Sequence, residues 1–382
     1  MLACQRHQFD IPDDVCYLSA ASYSPLPRAV QEAGRSGVAR KARPWLLDGQ
    51  FITAQNDRAR RAAARLIGAE PADIALVPSI AYGFATAGKL IAPSPGSRVI
   101  VIEDDHSSPV LEWLTRSREQ GFTVETVSRP ADGDWTGAVL EAIARPGAAP
   151  VSLASLSSVH WSDGALIDLD KVATALRRQG AALAIDATQS AGVLALDVAK
   201  LDPDFVMFPT YKWLLGPYGR AFLYVARRHQ GGIPLEQTAH GRRAVKAEQA
   251  HYFADTRYAA DASRFDMAER DHFISMEMAS VGIETMLGWG HAAIAERTGA
   301  LARRLAAGLE GAGVRVLDAR FRSPHILSLA FAAGMPAGLV ERLAAERVYV
   351  APRLGRLRLS PHVYNDERDV DRFLAVFRRL IA

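Results

Sequence analysis

Apolar positions along this chain fall into two alternating rhythms. Short continuous runs, such as Arg98-Val-Ile-Val-Ile102 and Ala221-Phe-Leu-Tyr-Val225, read as buried strands, and longer stretches carry the three-and-four spacing of amphipathic helices. The pattern predicts a helix over 58–67, a strand over 74–78, a helix over 81–91, a strand over 98–102 and a helix over 109–120. Strands over 122–127 and 151–155 and a helix over 169–179 come next, then strand runs at 181–185, 204–208 and 221–225. From about Gln230 to Asp271 the sequence turns polar and irregular, as loops around a site would be. Helical patterns return at 276–289 and 291–311, with short strand-like runs at 315–317 and 326–331. Alternation of this kind predicts an α/β fold, a mostly parallel sheet covered by helices, followed by a smaller α+β unit. At 382 residues the chain exceeds one compact core. The expected division is an N-terminal segment over 1–20, a large domain over 21–265 and a small C-terminal domain over 266–382.

Composition narrows the function classes. A formal charge of +3 with 23% charged residues gives no reason to expect nucleic-acid or membrane binding. No window approaches the roughly 20 apolar residues of a membrane span, and Met1 to Asp10 lacks the apolar core of a signal peptide. Cys4 and Cys16 cannot make a disulfide framework and lack metal-ligand spacing, so no metal is expected. The plain expectation is a cytoplasmic enzyme or binding protein.

Lysine changes the picture because it is scarce. Only six lysines stand among 45 basic residues, and Lys212 lies in the apolar Phe-Pro-Thr-Tyr-Lys-Trp-Leu-Leu-Gly-Pro run. A lone lysine in such surroundings is more often a snorkelling surface residue. Here, however, Asp186 ends the strand-like Ala181-Ala-Leu-Ala-Ile185 run, 26 positions upstream. Ligands of open parallel sheets sit at the carboxyl ends of strands. An amine able to form a Schiff base, with a carboxylate able to keep a ring nitrogen protonated, looks like a pyridoxal phosphate site. The early strands are followed by no Gly-x-Gly-x-x-Gly, which argues against a nicotinamide enzyme.

At these motifs the chain resembles the class V aminotransferase family, the cysteine desulfurase-like branch of fold-type I pyridoxal phosphate enzymes. The resemblance runs from Tyr17-Leu-Ser-Ala-Ala21 to Arg358-Leu-Ser-Pro-His-Val-Tyr-Asn365, and is strongest from Asp186-Ala-Thr-Gln-Ser-Ala-Gly192 through Tyr211-Lys-Trp-Leu-Leu-Gly-Pro217. It implies a seven-stranded, mostly parallel sheet, a small-molecule amino acid or amine substrate, and a homodimer with shared active sites. Members include transaminases, lyases, desulfurases and epimerases, so fold outruns reaction. An aminotransferase-type reaction is the leading expectation, with lyase or epimerase as the alternative and a non-catalytic relative as the competing class.

By resemblance, Lys212 carries the cofactor and moves protons, Asp186 pairs with the pyridinium nitrogen, Gln189 bonds the phenolic oxygen and His106 stacks on the ring. Phosphate is expected at Pro78-Ser-Ile-Ala-Tyr-Gly83, on Ser79 and the backbone of Ala81 and Tyr82, with Thr210 adding a hydroxyl. Arg358 is expected to grip the substrate carboxylate. Three departures matter. No cysteine follows Cys16, and the short Val350-Ala-Pro-Arg-Leu-Gly355 segment is thiol-free where the family's desulfurases carry their nucleophile. Trp161 stands where many relatives have Asn, either narrowing the substrate pocket or filling core. Glu269 replaces a threonine in the segment that reaches a neighbouring subunit's phosphate, and His272 close by is a candidate substrate-facing group.

Overall fold

A computed structural model describes residues 2–245 and 250–381; residues 1, 246–249 and 382, parts of the N-terminal, irregular and C-terminal stretches above, lie outside that description. Its centre is a sheet of β1 (Ile74–Val77), β2 (Arg98–Ile102), β3 (Thr123–Val127), β4 (Val151–Ser157), β5 (Ala182–Asp186), β6 (Phe205–Pro209) and β7 (Ala221–Val225). The order across it is β1-β7-β6-β5-β4-β2-β3. All neighbours are parallel except β7, which runs antiparallel to both β1 and β6. The expected mostly parallel, helix-covered sheet is therefore what forms.

Side chains alternate across a strand, so a strand covered on both faces must be apolar throughout. β6 shows this directly: Val206 and Phe208 enter one core, Phe205 and Met207 the other. Helices α1 (Arg28–Lys41) and α2 (Gly49–Ile67) precede the sheet. Helices α3 (Ile80–Leu90), α4 (Ser107–Gln120), α5 (Trp135–Ala144) and α6 (Leu169–Arg178) follow the first four strands, and α7 (Val198–Leu201) is a single turn before β6. Phe84 of α3 and Trp113 of α4 fill one face of the sheet. Ala63 of α2, Trp135 of α5 and Val172 of α6 fill the other, joined by Ile283 of α8 (Ser275–Trp289).

A third core gathers α9 (His291–Gly308), α10 (Leu339–Ala345) and α11 (Glu367–Ile381) against an antiparallel sheet. That sheet comprises β8 (Val314–Arg315), β9 (Leu327–Phe331), β10 (Ala351–Arg353) and β11 (Arg356–Leu359), ordered β10-β11-β9-β8. Cys16 and Leu18 from the N-terminal segment also belong to this core, and Cys16-Tyr17 pairs in parallel with Val348-Tyr349.

Several elements differ from the hydrophobic pattern. α2 starts nine residues earlier than the periodicity predicts, because Asp48 caps it by accepting from the Phe51 amide at 2.7 Å. α1 and α5 are absent from the pattern reading, as are α10, α11 and the β10–β11 hairpin. In α1 the cause is visible. Gly34 and Gly37 occupy the face against α8, where an added Cβ at Gly37 would stand 2.7 Å from the Ile274 Cα, so the helix packs through residues that carry no apolar signal.

Candidate active site

The carboxyl ends of the parallel strands converge on one cavity. Asp186 is the last residue of β5, opposite Ser157 of β4 and Met207 of β6, and it is 3% exposed. Its Oδ1 accepts from the Thr188 amide at 2.8 Å. Lys212 follows β6 in a tight loop closed by the Thr210 amide to the Arg220 carbonyl (3.0 Å) and the Gly216 amide to the Thr210 carbonyl (2.9 Å). Gly192, at φ 96°, lies against this loop, with room for no side chain between it and Leu214. Lys212 is 7% exposed. Burial pushes its amine down to about 8; Arg358 and Arg353 push the same way, and Asp186 opposes them.

Of the residues singled out in the sequence, Lys212, Asp186, Gln189, His106, Ser79, Ala81 and Trp161 line this one cavity. Ser79 caps α3, its Oγ accepting from the Tyr82 amide at 3.2 Å, so the Tyr82 N–H is engaged within the helix. The first N–H groups of any helix lack carbonyl partners and favour an anion. Gln189 is held from behind. Its Nε2 donates to the Ala21 carbonyl (3.2 Å), and its Oε1 accepts from Trp213 Nε1 (2.8 Å). His106 sits edge-on to Trp161 with centroids 5.9 Å apart, and Trp161 Nε1 donates to the Asp104 carbonyl at 2.7 Å.

Tyr82, Thr210, Arg358 and His272 do not line the cavity. Thr210 spends its hydroxyl on the Pro217 carbonyl at 2.5 Å. His272 Nδ1 accepts from the Ser275 amide at 3.1 Å, at the start of α8. Arg358 is 1% exposed. It reaches the Trp161 carbonyl (2.5 Å) and the Ser22 Oγ (2.7 Å), while its Nε has no partner. Arg353 bonds the same Ser22 Oγ at 2.8 Å, so two guanidinium groups converge on one hydroxyl. No carboxylate among the described residues lies within ion-pair distance of either. Burial weakens the hold of Arg358 on its charge, and Arg353 adds to the effect.

Three groups in or beside the cavity escaped the sequence reading. Thr188 Oγ1 is buried without a hydrogen-bond partner. Asp105 accepts from Ser157 Oγ (2.6 Å) and from the Ser157 and His106 amides (3.1 and 2.7 Å). Burial nevertheless pushes its carboxyl up to about 7, Ser157 opposing and the charge of Asp186 adding. Arg220 lines the cavity at 6% exposure. The residues present fit pyridoxal phosphate: an amine that burial makes easier to deprotonate, a nearby carboxylate at a strand end, an orphaned buried hydroxyl and a helix N-terminus.

Comparison with known proteins agrees with this geometry. The sequence profile described as Aminotransferase class-V matches residues 17–373. The chain is 26% identical over 357 residues to an uncharacterized aminotransferase, YcbU, of Bacillus subtilis (strain 168), covering 93% of this chain and 90% of that one. It is 25% identical over 393 residues to isopenicillin N epimerase of Amycolatopsis lactamdurans, covering 98% and 97%. Among solved structures it shares its fold with the apo cysteine desulfurase of Thermococcus onnurineus NA1, with a TM-score of 0.85 at 19% identity, covering 100% of this chain and 99% of that one. This protein therefore belongs to the class V aminotransferase family, an α/β fold-type I chain whose cofactor is pyridoxal phosphate.

Proposed function

We propose that the protein is an aminotransferase-type enzyme acting on an amino acid, as a homodimer. The observation that carries this reading is the buried Lys212 amine, pushed down to about 8 in the loop after β6 and within reach of the Asp186 charge at the end of β5. Pyridoxal phosphate, when bound, supplies a sink for the electron pair left behind as a bond to the substrate Cα breaks. Asp186 holds the proton on the ring nitrogen that makes this sink effective. Lys212 would hold the cofactor through its Nζ and would move a proton to or from Cα. His106 would cover the ring, Gln189 would donate to its phenolic oxygen, and Trp161 would narrow the mouth. Arg358, with Arg353, grips the α-carboxylate and so orients the bond to be broken.

A thiol-dependent sulfur transfer does not suit this chain. Neither cysteine is among the cavity-lining residues. Cys16 is buried with its Sγ bonded to the Asp369 carbonyl at 3.2 Å, and burial pushes its thiol far up, away from the reactive thiolate. The segment where the sequence suggested a loop is the β10–β11 hairpin, with Leu354 and Gly355 in left-handed backbone at its turn. An epimerase is the second reading, supported by the near full-length likeness to isopenicillin N epimerase. The deciding experiment mixes the yellow holoenzyme with single amino acids at stoichiometric amounts. One equivalent of keto acid per site, with bleaching of the cofactor band and no free ammonia, is expected; inverted enantiomer, or ammonia released alongside the keto acid, would reject the transaminase reading.

A further inference from the structure

The phosphate end of the cavity has a cation that the sequence did not reveal. β7 runs against the sheet, so its first residue, Ala221, pairs with Val77 at the end of β1 and with Pro209 at the end of β6. Arg220, immediately before it, is thereby set at the carboxyl edge between the Ser79 turn and the Lys212 loop, and it lines the cavity with both. Its Nε donates to Ser275 Oγ at 2.6 Å, and Nη1 faces Met267 Sδ at 3.5 Å. These are neutral partners, and no carboxylate among the described residues lies within ion-pair distance. Burial pushes Arg220 down to about 10 with no offsetting charge.

Two arginines beside Met267 in the fold are already paired with a carboxylate. Arg60 and Arg270 both close on Asp266, and Arg270 also reaches Asp271 at 3.5 Å. Glu269 is exposed in left-handed backbone. A buried guanidinium left without an anion is costly, and its planar fork matches phosphate oxygens. We propose that Arg220 binds the cofactor's phosphate from within the same chain, completing a cup whose other side is the N-terminus of α3. This rests on the reading of the cavity as the pyridoxal phosphate site, and adds the residue that compensates the dianion.

Removing the phosphate from the ligand isolates the contact. Apo-protein is titrated with pyridoxal phosphate and with pyridoxal, for wild type, Arg220→Gln and Arg220→Lys, following the lysine-adduct absorbance. Arg220→Gln is expected to weaken pyridoxal phosphate by about 10- to 100-fold, the size of a charge-assisted contact, and to leave pyridoxal unchanged. Arg220→Lys is expected to show the same selective loss to a smaller extent, and serves if the glutamine variant fails to fold. The phosphorus resonance of the bound cofactor should also shift in either variant. Equal losses for both ligands, or none for either, would overturn the assignment while wild-type uptake keeps the cofactor reading intact. Wild type taking up neither ligand would bring down the cofactor reading itself, and this assignment with it.

Discussion

Lys212 shows how environment turns an ordinary side chain into a reagent. Burial is the largest influence depressing its pKa, and the positive charge of Arg358 is the next. An amine with a pKa of about 8 becomes a free nucleophile in mildly alkaline solution, whereas an ordinary lysine needs about two further pH units. The rate at which apo-protein captures pyridoxal should therefore rise through an inflection near pH 8. Arg358→Gln removes a charge that disfavours the ammonium form, so the inflection should move to higher pH; an unmoved inflection would place the Arg358 charge out of reach of the amine. Lys212 and Asp186 were legible in the sequence because a scarce residue type stood in an apolar run and an acid ended another. Arg220 was not, since one more arginine in an arginine-rich chain offers no contrast. Only the reversed direction of β7 reveals where it lands. Asp105 was hidden in the same way, within the run Glu103-Asp-Asp105.

Strands proved more legible than helices at the scale of elements. β7 matches its predicted run residue for residue, since strands covered on both faces announce themselves as unbroken apolar sequence. Helices that pack through glycine, such as α1, leave no such mark. α8 has the same device at Gly282, where an added Cβ would lie 2.5 Å from the Leu214 carbonyl oxygen and 3.3 Å from the Gly216 amide nitrogen. The helix thus rests directly on the backbone of the lysine loop. Gly282→Ala should force that loop to shift, lowering stability by about 1–3 kcal/mol as overpacking does and reducing turnover as well. Urea unfolding beside single-turnover kinetics tests this, and a variant unchanged in both would mean that the loop gives way freely.

At the scale of the whole molecule, the first residues join two of the three hydrophobic cores, that of the small antiparallel sheet and that on one face of the large sheet. Cys16 and Leu18 are buried in the small-sheet core, Ala20 and Ala21 in the large-sheet core, and Ser22 a step later receives both Arg353 and Arg358. Cys16 is thus a built-in reporter of this junction. In native protein a thiol reagent should modify Cys4, which is half-buried, well before Cys16. Any agent that loosens the N-terminal segment should bring the Cys16 rate up together with loss of activity; a Cys16 that reacts as fast as Cys4 without loss of activity would show the segment to be dispensable.

The pairing of Cys16-Tyr17 with Val348-Tyr349 also sets an order of events in biosynthesis. A growing chain exposes residue 16 long before residue 348 exists, so this early segment waits for its partner strand until Val348 and Tyr349 have been made. The seven strands that position Asp186 and the Lys212 loop are complete by Val225 and can assemble while the rest is still being translated. Ser22 can meet Arg353 and Arg358 only once the chain has been made through residue 358. A polypeptide terminated early would hold the lysine and its carboxylate without the arginines.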